Sequence, residues 1–91
     1  MPYDQKKSGQ AAAPQETVSS ENDQLQADLA LTRKYLKRDD IEIAAQEARI
    51  SGASLRGEPT SLALQELNEY FARQRYHRFE LRLIEARIKA Q

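Results

Sequence analysis

Apolar residues recur at alternating spacings of four and three over two long stretches, residues 20–51 and 60–90, and each stretch carries two such seams rather than one. In the first stretch one seam runs Leu25, Leu29, Thr32, Leu36, Asp39 or Asp40, Ile43, Gln46, Ile50. A second, some 140–160° around the same helix, runs Ala27, Leu31, Lys34, Arg38, Ile41, Ala45, Ala48. In the second stretch the seams are Ala63, Leu67, Tyr70, Gln74, His77, Leu81, Ile84, Ile88 and Ala72, Tyr76, Phe79, Leu83, Ala86, Ala90. No strand-like alternation competes with this period, so the pattern predicts an all-α protein with coiled-coil-like packing. A helix in a lone hairpin needs one buried stripe. A second stripe calls for a second neighbour, either another copy of the chain or a different protein.

Local signals set the expected ends. Ser19 or Ser20 can cap the first helix, with Glu21 and Asp23 near its positive end. Gly52 stands where a left-handed residue closes a helix, and Gly57 and Pro59 break the loop over 52–59. Thr60 or Ser61 opens the second helix. At about 1.5 Å per residue each helix spans about 45 Å, and so short a connection folds them back antiparallel. If the chain turns about residues 55–56, residue i faces roughly residue 111 − i, which sets Asp39 and Asp40 opposite Ala72 and Phe71, within a turn of Arg73, Arg75 and Gln74, where a mid-hairpin polar layer would fix the register at some cost in stability. Residues 1–19, rich in Gln, Ala, Ser and Pro with only Tyr3 and Val18 as sizeable apolar side chains, cannot offset their conformational entropy and are expected to form a disordered tail. The expected architecture is thus a tail over 1–19 and an antiparallel hairpin of two long helices over 20–91, completed by self-association or a partner. Residues 41–50 and 79–88 share Glu, Glu, Ala, Arg and Ile at matching positions, an echo that shared helical composition explains without duplication.

Charge adds one distinction. The 14 basic and 14 acidic residues cancel. Yet residues 1–69 hold 8 basic and 12 acidic side chains, whereas residues 70–91 hold 6 basic and 2 acidic, an acidic body with a basic last helix. Arg33, Lys34, Lys37 and Arg38 are followed directly by Asp39, Asp40 and Glu42, a bipolar block that can pair with its own copy in antiparallel fashion. The run Arg73, Arg75, Tyr76, Arg78, Phe79, with Arg82, Arg87 and Lys89 beyond it, offers a nucleic-acid surface as an alternative, though Glu80 and Glu85 interrupt it.

Chemistry is sparse. There is no cysteine, hence no disulfide, thiolate metal site or thiol nucleophile. His77 and Glu80 share a helical face, but two ligands in His-x-x-Glu order do not make a metal site. Ser51, Ser54 and Ser61 lie outside any nucleophile-elbow motif, and the 52–57 loop lacks the Gly-Lys-Ser/Thr ending of a phosphate loop. No apolar run approaches the ~20 residues of a membrane span, and no secretory h-region is evident.

The reading is therefore a cytoplasmic, non-enzymatic protein–protein interaction module without cofactor, metal, membrane or small-molecule substrate: an adaptor, small chaperone or regulatory inhibitor. Its expected anchors are Leu31, Ile41, Tyr76, Phe79 and Leu83, with polar selectivity from Arg38, Asp39, Asp40, Arg75 and Arg78. The alternatives are a nucleic-acid-binding regulator using Arg73, Arg75, Arg78, Arg82, Arg87 and Lys89, or a structural subunit of a larger assembly.

Overall fold

The computed structural model describes residues 20–91 in full and, for residues 4–19, the course of the backbone alone. The tail expected over residues 1–19 lies outside the fully described residues. Two helices make up the fold, α1 (Asp4–Leu55) and α2 (Ser61–Lys89), packed against each other as an antiparallel hairpin. Among the described residues no helix is long and apolar enough to cross a membrane.

The seam that each helix turns inward is the longer of its two. On α1, Leu25, Leu29, Thr32, Leu36, Asp39, Ile43, Gln46 and Ile50 are all buried or half-buried; on α2 the same holds for Ala63, Leu67, Tyr70, Gln74, His77, Leu81, Ile84 and Ile88. Every member of the second seams, from Ala27 to Ala48 and from Ala72 to Ala90, is exposed. The two seams on each helix lie about 160° apart, so pairing one seam in the hairpin necessarily turns the other to solvent.

The turn differs from the expected one. Helix α1 does not end at residue 51 but continues through Gly52 to Leu55, and the left-handed residue is Gly57, at φ +73°. There Glu58 N–H donates to the Ala53 carbonyl (2.9 Å) and Gly57 N–H to the Ser54 carbonyl (3.0 Å), the paired bonds of a Schellman closure. Gly52 is a poor helix former but not a stop, because nothing follows it at once that breaks the helix; Gly57 is followed by Pro59. Arg56 then grips Glu58 with two bonds of 3.0 Å across the turn, an exposed contact of small energetic weight. Helix α2 begins at Ser61 with Thr60 as its N-cap residue, whose carbonyl accepts from Leu64 N–H (2.9 Å) while its hydroxyl makes no cap bond. Arg87 and Lys89 sit in the last turn of α2, where cations suit the negative end of the helix dipole.

Moving the turn moves the register. Asp39 meets His77 rather than Ala72, and Asp40 meets Gln74 rather than Phe71, a shift of about one helical turn from the expected pairing.

The two glycines should respond oppositely to alanine. At Gly57 a side chain has open space but a left-handed backbone, so Gly57→Ala should cost about 1 kcal/mol. At Gly52 a Cβ meets only the flexible end of Arg56 at 3.2 Å, so Gly52→Ala should raise stability by up to about 1 kcal/mol. Urea denaturation followed by circular dichroism measures both; equal effects of the same sign would refute this assignment of the turn.

Candidate functional site

Two surfaces carry the chemistry of this hairpin: the polar row between the helices, and the apolar seams on their outer sides. On α1 the inward seam has two rows. Leu29, Leu36, Ile43 and Ile50 form an apolar row, while Thr32, Asp39 and Gln46, seven residues apart, form a polar one. Among the described residues Ile43 is the single buried hydrophobic side chain, whereas Thr32, Asp39, Gln46, Gln74 and His77 are buried polar ones.

Asp39, Gln46, Gln74 and His77 each find a partner on the other helix. His77 Nδ1 lies 2.5 Å from Asp39 Oδ2, with Asp39 only 1% exposed. An ionised Asp39 only accepts, and this contact then requires the imidazole proton on Nδ1. The Tyr35 ring stacks on the imidazole, centroids 5.2 Å apart, and Arg38 lies over the Tyr35 ring at 5.2 Å. One turn away Gln74 Nε2 donates to Asp40 Oδ1 (2.7 Å), and Arg73 donates to Glu42 (2.8 Å). Nearer the turn, Gln46 Nε2 donates to the Ala63 carbonyl (2.9 Å) and to Glu66 (3.2 Å), while its own carbonyl accepts two bonds from Arg49. At the open end Arg33 faces Glu85 at 3.8 Å, both exposed. Among the described residues Asp39 Oδ1 alone is a buried side-chain polar atom without a hydrogen-bond partner.

These contacts revise several expectations. Asp39 and Asp40 were placed at a partner surface; Asp39 is instead an internal residue, and Asp40, though exposed, is bound to Gln74. The bipolar block cannot pair with its own copy as expected, because Asp39, Asp40 and Glu42 are engaged by α2, leaving Lys34, Lys37 and Arg38 as the exposed half. His77 turns to Asp39 across the interface rather than joining Glu80, and among the described residues no three His, Asp or Glu side chains gather as a metal site would need. The Asp39–His77 pair is the contact that sequence reasoning missed. The signal was present: both residues sit at polar breaks of inward seams, and only the position of the turn set them opposite each other.

The outer side carries the second apolar seams. Leu31 (46%), Ile41 (62%), Tyr76 (58%), Phe79 (57%) and Leu83 (45%) are all substantially exposed. Leu31 and Leu83 line one cleft with Tyr35 and Ile84. Arg75 and Arg78 are exposed and, three residues apart, lie on the same side of α2. Of the cations offered to nucleic acid, Arg73 is tied to Glu42, and Arg82, Arg87 and Lys89 are exposed. Compared with protein-family models, characterised proteins and solved structures, the chain shows no significant match.

Removing one member of the Asp39–His77 pair strands the other. Asp39→Ala should cost about 1–3 kcal/mol by leaving a buried N–H unmatched, and His77→Ala more, about 3–5 kcal/mol, by leaving a buried carboxylate alone. The double variant Asp39→Ala with His77→Ala should cost clearly less than the sum of the two single losses. Urea titrations of the three variants measure the cycle; additive losses would show that the contact carries no coupling.

Proposed function

We propose that this chain is a non-enzymatic protein–protein interaction module of the cytoplasm, an adaptor, small chaperone or regulatory inhibitor whose hairpin presents an apolar helix face to a partner. The observation that supports this reading is the second apolar seam that the hairpin leaves outside. Leu31, Ile41, Tyr76, Phe79 and Leu83 stand in water at the spacing of a packed helix, while the interhelical seam mixes half-buried apolar side chains with five buried polar ones. Burying side chains of this kind is worth about 1.5–3 kcal/mol each, which gives the exposed seams a strong tendency to acquire a neighbour.

The stronger of the two outer faces is on α2. There Tyr76, Phe79 and Leu83 follow one another at spacings of three and four, flanked by Ala72 and Ala86. Aromatic residues carry large apolar area on few rotatable bonds, which suits them as anchors. The outer face of α1 is thinner, since Lys34 and Arg38 interrupt Leu31 and Ile41. Helix-in-groove or helix-on-helix burial is the mechanism this arrangement favours.

A nucleic-acid role is less well supported. Arg75, Arg78, Arg82 and Lys89 share one side of α2, but Glu85 adjoins Arg82 and Lys89 there, and Arg73 and Arg87 lie on the other flank.

Phe79→Asp tests the reading directly. The side chain is 57% exposed, so the hairpin should keep its helicity while losing the face. Against a synthetic amphipathic helix with a leucine seam and uncharged glutamine flanks, affinity should fall by about thirtyfold, the equivalent of one buried aromatic. Unchanged affinity, measured by fluorescence anisotropy alongside circular dichroism, would remove α2 from the proposed interface.

A further inference from the structure

We infer that the outer face of α2 is built to receive an acidic amphipathic helix, one with a narrow apolar seam and carboxylates repeating every seven residues along its flank. This rests on the interaction-module reading above and names the chemistry of its partner.

Over residues 72–90 the face of α2 turned away from α1 consists of two kinds of position. Ala72, Tyr76, Phe79, Leu83, Ala86 and Ala90 form the seam; Arg75, Arg82 and Lys89 form a row beside it. All nine are exposed. The three cations are seven residues apart, about 10.5 Å along the helix, and among the described residues none of them makes an ion pair. No acidic residue occupies this face. Glu80 and Glu85, the only acids of α2 beyond residue 69, lie on the flanks that turn toward α1, where Glu85 faces Arg33 at 3.8 Å. An apolar seam edged by one sign of charge at heptad spacing is how paired helices select orientation and partner.

A second copy of the chain does not supply the complement. Its α2 face carries the same three cations, and the outer face of α1 carries exposed Lys34, Lys37 and Arg38 with no acid among its seam neighbours between Ala27 and Ala48. The acids that might have answered them, Asp39, Asp40 and Glu42, are held by His77, Gln74 and Arg73 within the hairpin. Two copies meeting through either outer face bring like charges together. A bilayer is a poorer match as well. The seam occupies two of every seven positions, the width of a helix contact, whereas interfacial helices bury a broad apolar face.

The experiment compares the full chain against two synthetic four-heptad peptides with identical leucine seams, one flanked by glutamate and one by lysine. Fluorescence anisotropy should show the glutamate peptide binding about tenfold or more tightly than the lysine peptide, with the advantage shrinking as salt rises. Charge reversal at the row, Arg75→Glu with Arg82→Glu and Lys89→Glu, should invert that order; Arg75→Gln with Arg82→Gln and Lys89→Gln should level it. All three positions are exposed, and circular dichroism checks that each variant remains helical. Equal affinity for both peptides, or a preference unmoved by the substitutions, overturns the inference while leaving the interaction-module reading intact. Tighter binding to phosphatidylglycerol vesicles or to duplex DNA than to the glutamate peptide also overturns it, as does a stable dimer of the free chain broken by Phe79→Asp. If neither peptide binds and the chain stays monomeric by light scattering, the interaction-module reading falls with it.

Discussion

The contact between Asp39 and His77 sets the terms for the rest of the hairpin. A carboxylate removed from water in the middle of a two-helix interface must be answered, and a single imidazole on the opposite helix answers it. That requirement permits one register. Sliding α2 by one turn would set Gln74 or Leu81 opposite Asp39 and leave His77 facing the aliphatic row. The neighbouring bonds, Gln74 to Asp40, Arg73 to Glu42 and Gln46 to the Ala63 carbonyl, repeat the same register at successive turns, so the interface is specified by polar pairing more than by apolar fit. The stacked Tyr35 ring covers the imidazole and links the buried pair to the exposed Arg38.

Specificity of this kind comes at a cost in stability. Replacing buried polar pairs by hydrophobic residues often leaves a protein as stable or more so, and here nearly every fully buried side chain is polar. The apolar surface that would have made a stronger core has been placed outside instead. A two-helix hairpin of this size has little area to bury within itself, and the exposed seams of both helices add surface that association can still remove from water. The polar interior and the apolar exterior are two aspects of one arrangement: the inner row dictates how the helices face each other, and that choice leaves Tyr76, Phe79 and Leu83 outward.

Much of this was legible residue by residue. The two seams on each helix were read as they stand, and the anchors Leu31, Ile41, Tyr76, Phe79 and Leu83 are on the exposed sides because period 3.6 leaves no alternative once the longer seams pair. The polar breaks at Thr32, Asp39 and Gln46 were visible too, but their partners were not. Pairing across a hairpin depends on where the chain reverses, and two glycines competed for that role. Gly52 carries the usual signal of a helix end, yet its backbone stays helical, and the bonds from Glu58 to Ala53 and from Gly57 to Ser54 put the closing left-handed residue five positions later, at Gly57. Those few residues changed the residue that Asp39 meets across the interface from Ala72 to His77.

By itself the sequence determined that residues 20–51 and 60–90 are helical, that each helix has two apolar sides, and that the last helix is basic, because propensity, period and composition are local properties of the chain. Tertiary structure alone decided which side turns inward, which acid meets which base, and therefore which charges remain free. Those choices are set by a few angstroms of register between two helices, a non-local quantity that no window along the chain contains. The row of Arg75, Arg82 and Lys89 beside an open seam is legible as a face only after α1 has claimed the opposite side of α2 and engaged the acids that would otherwise have matched it.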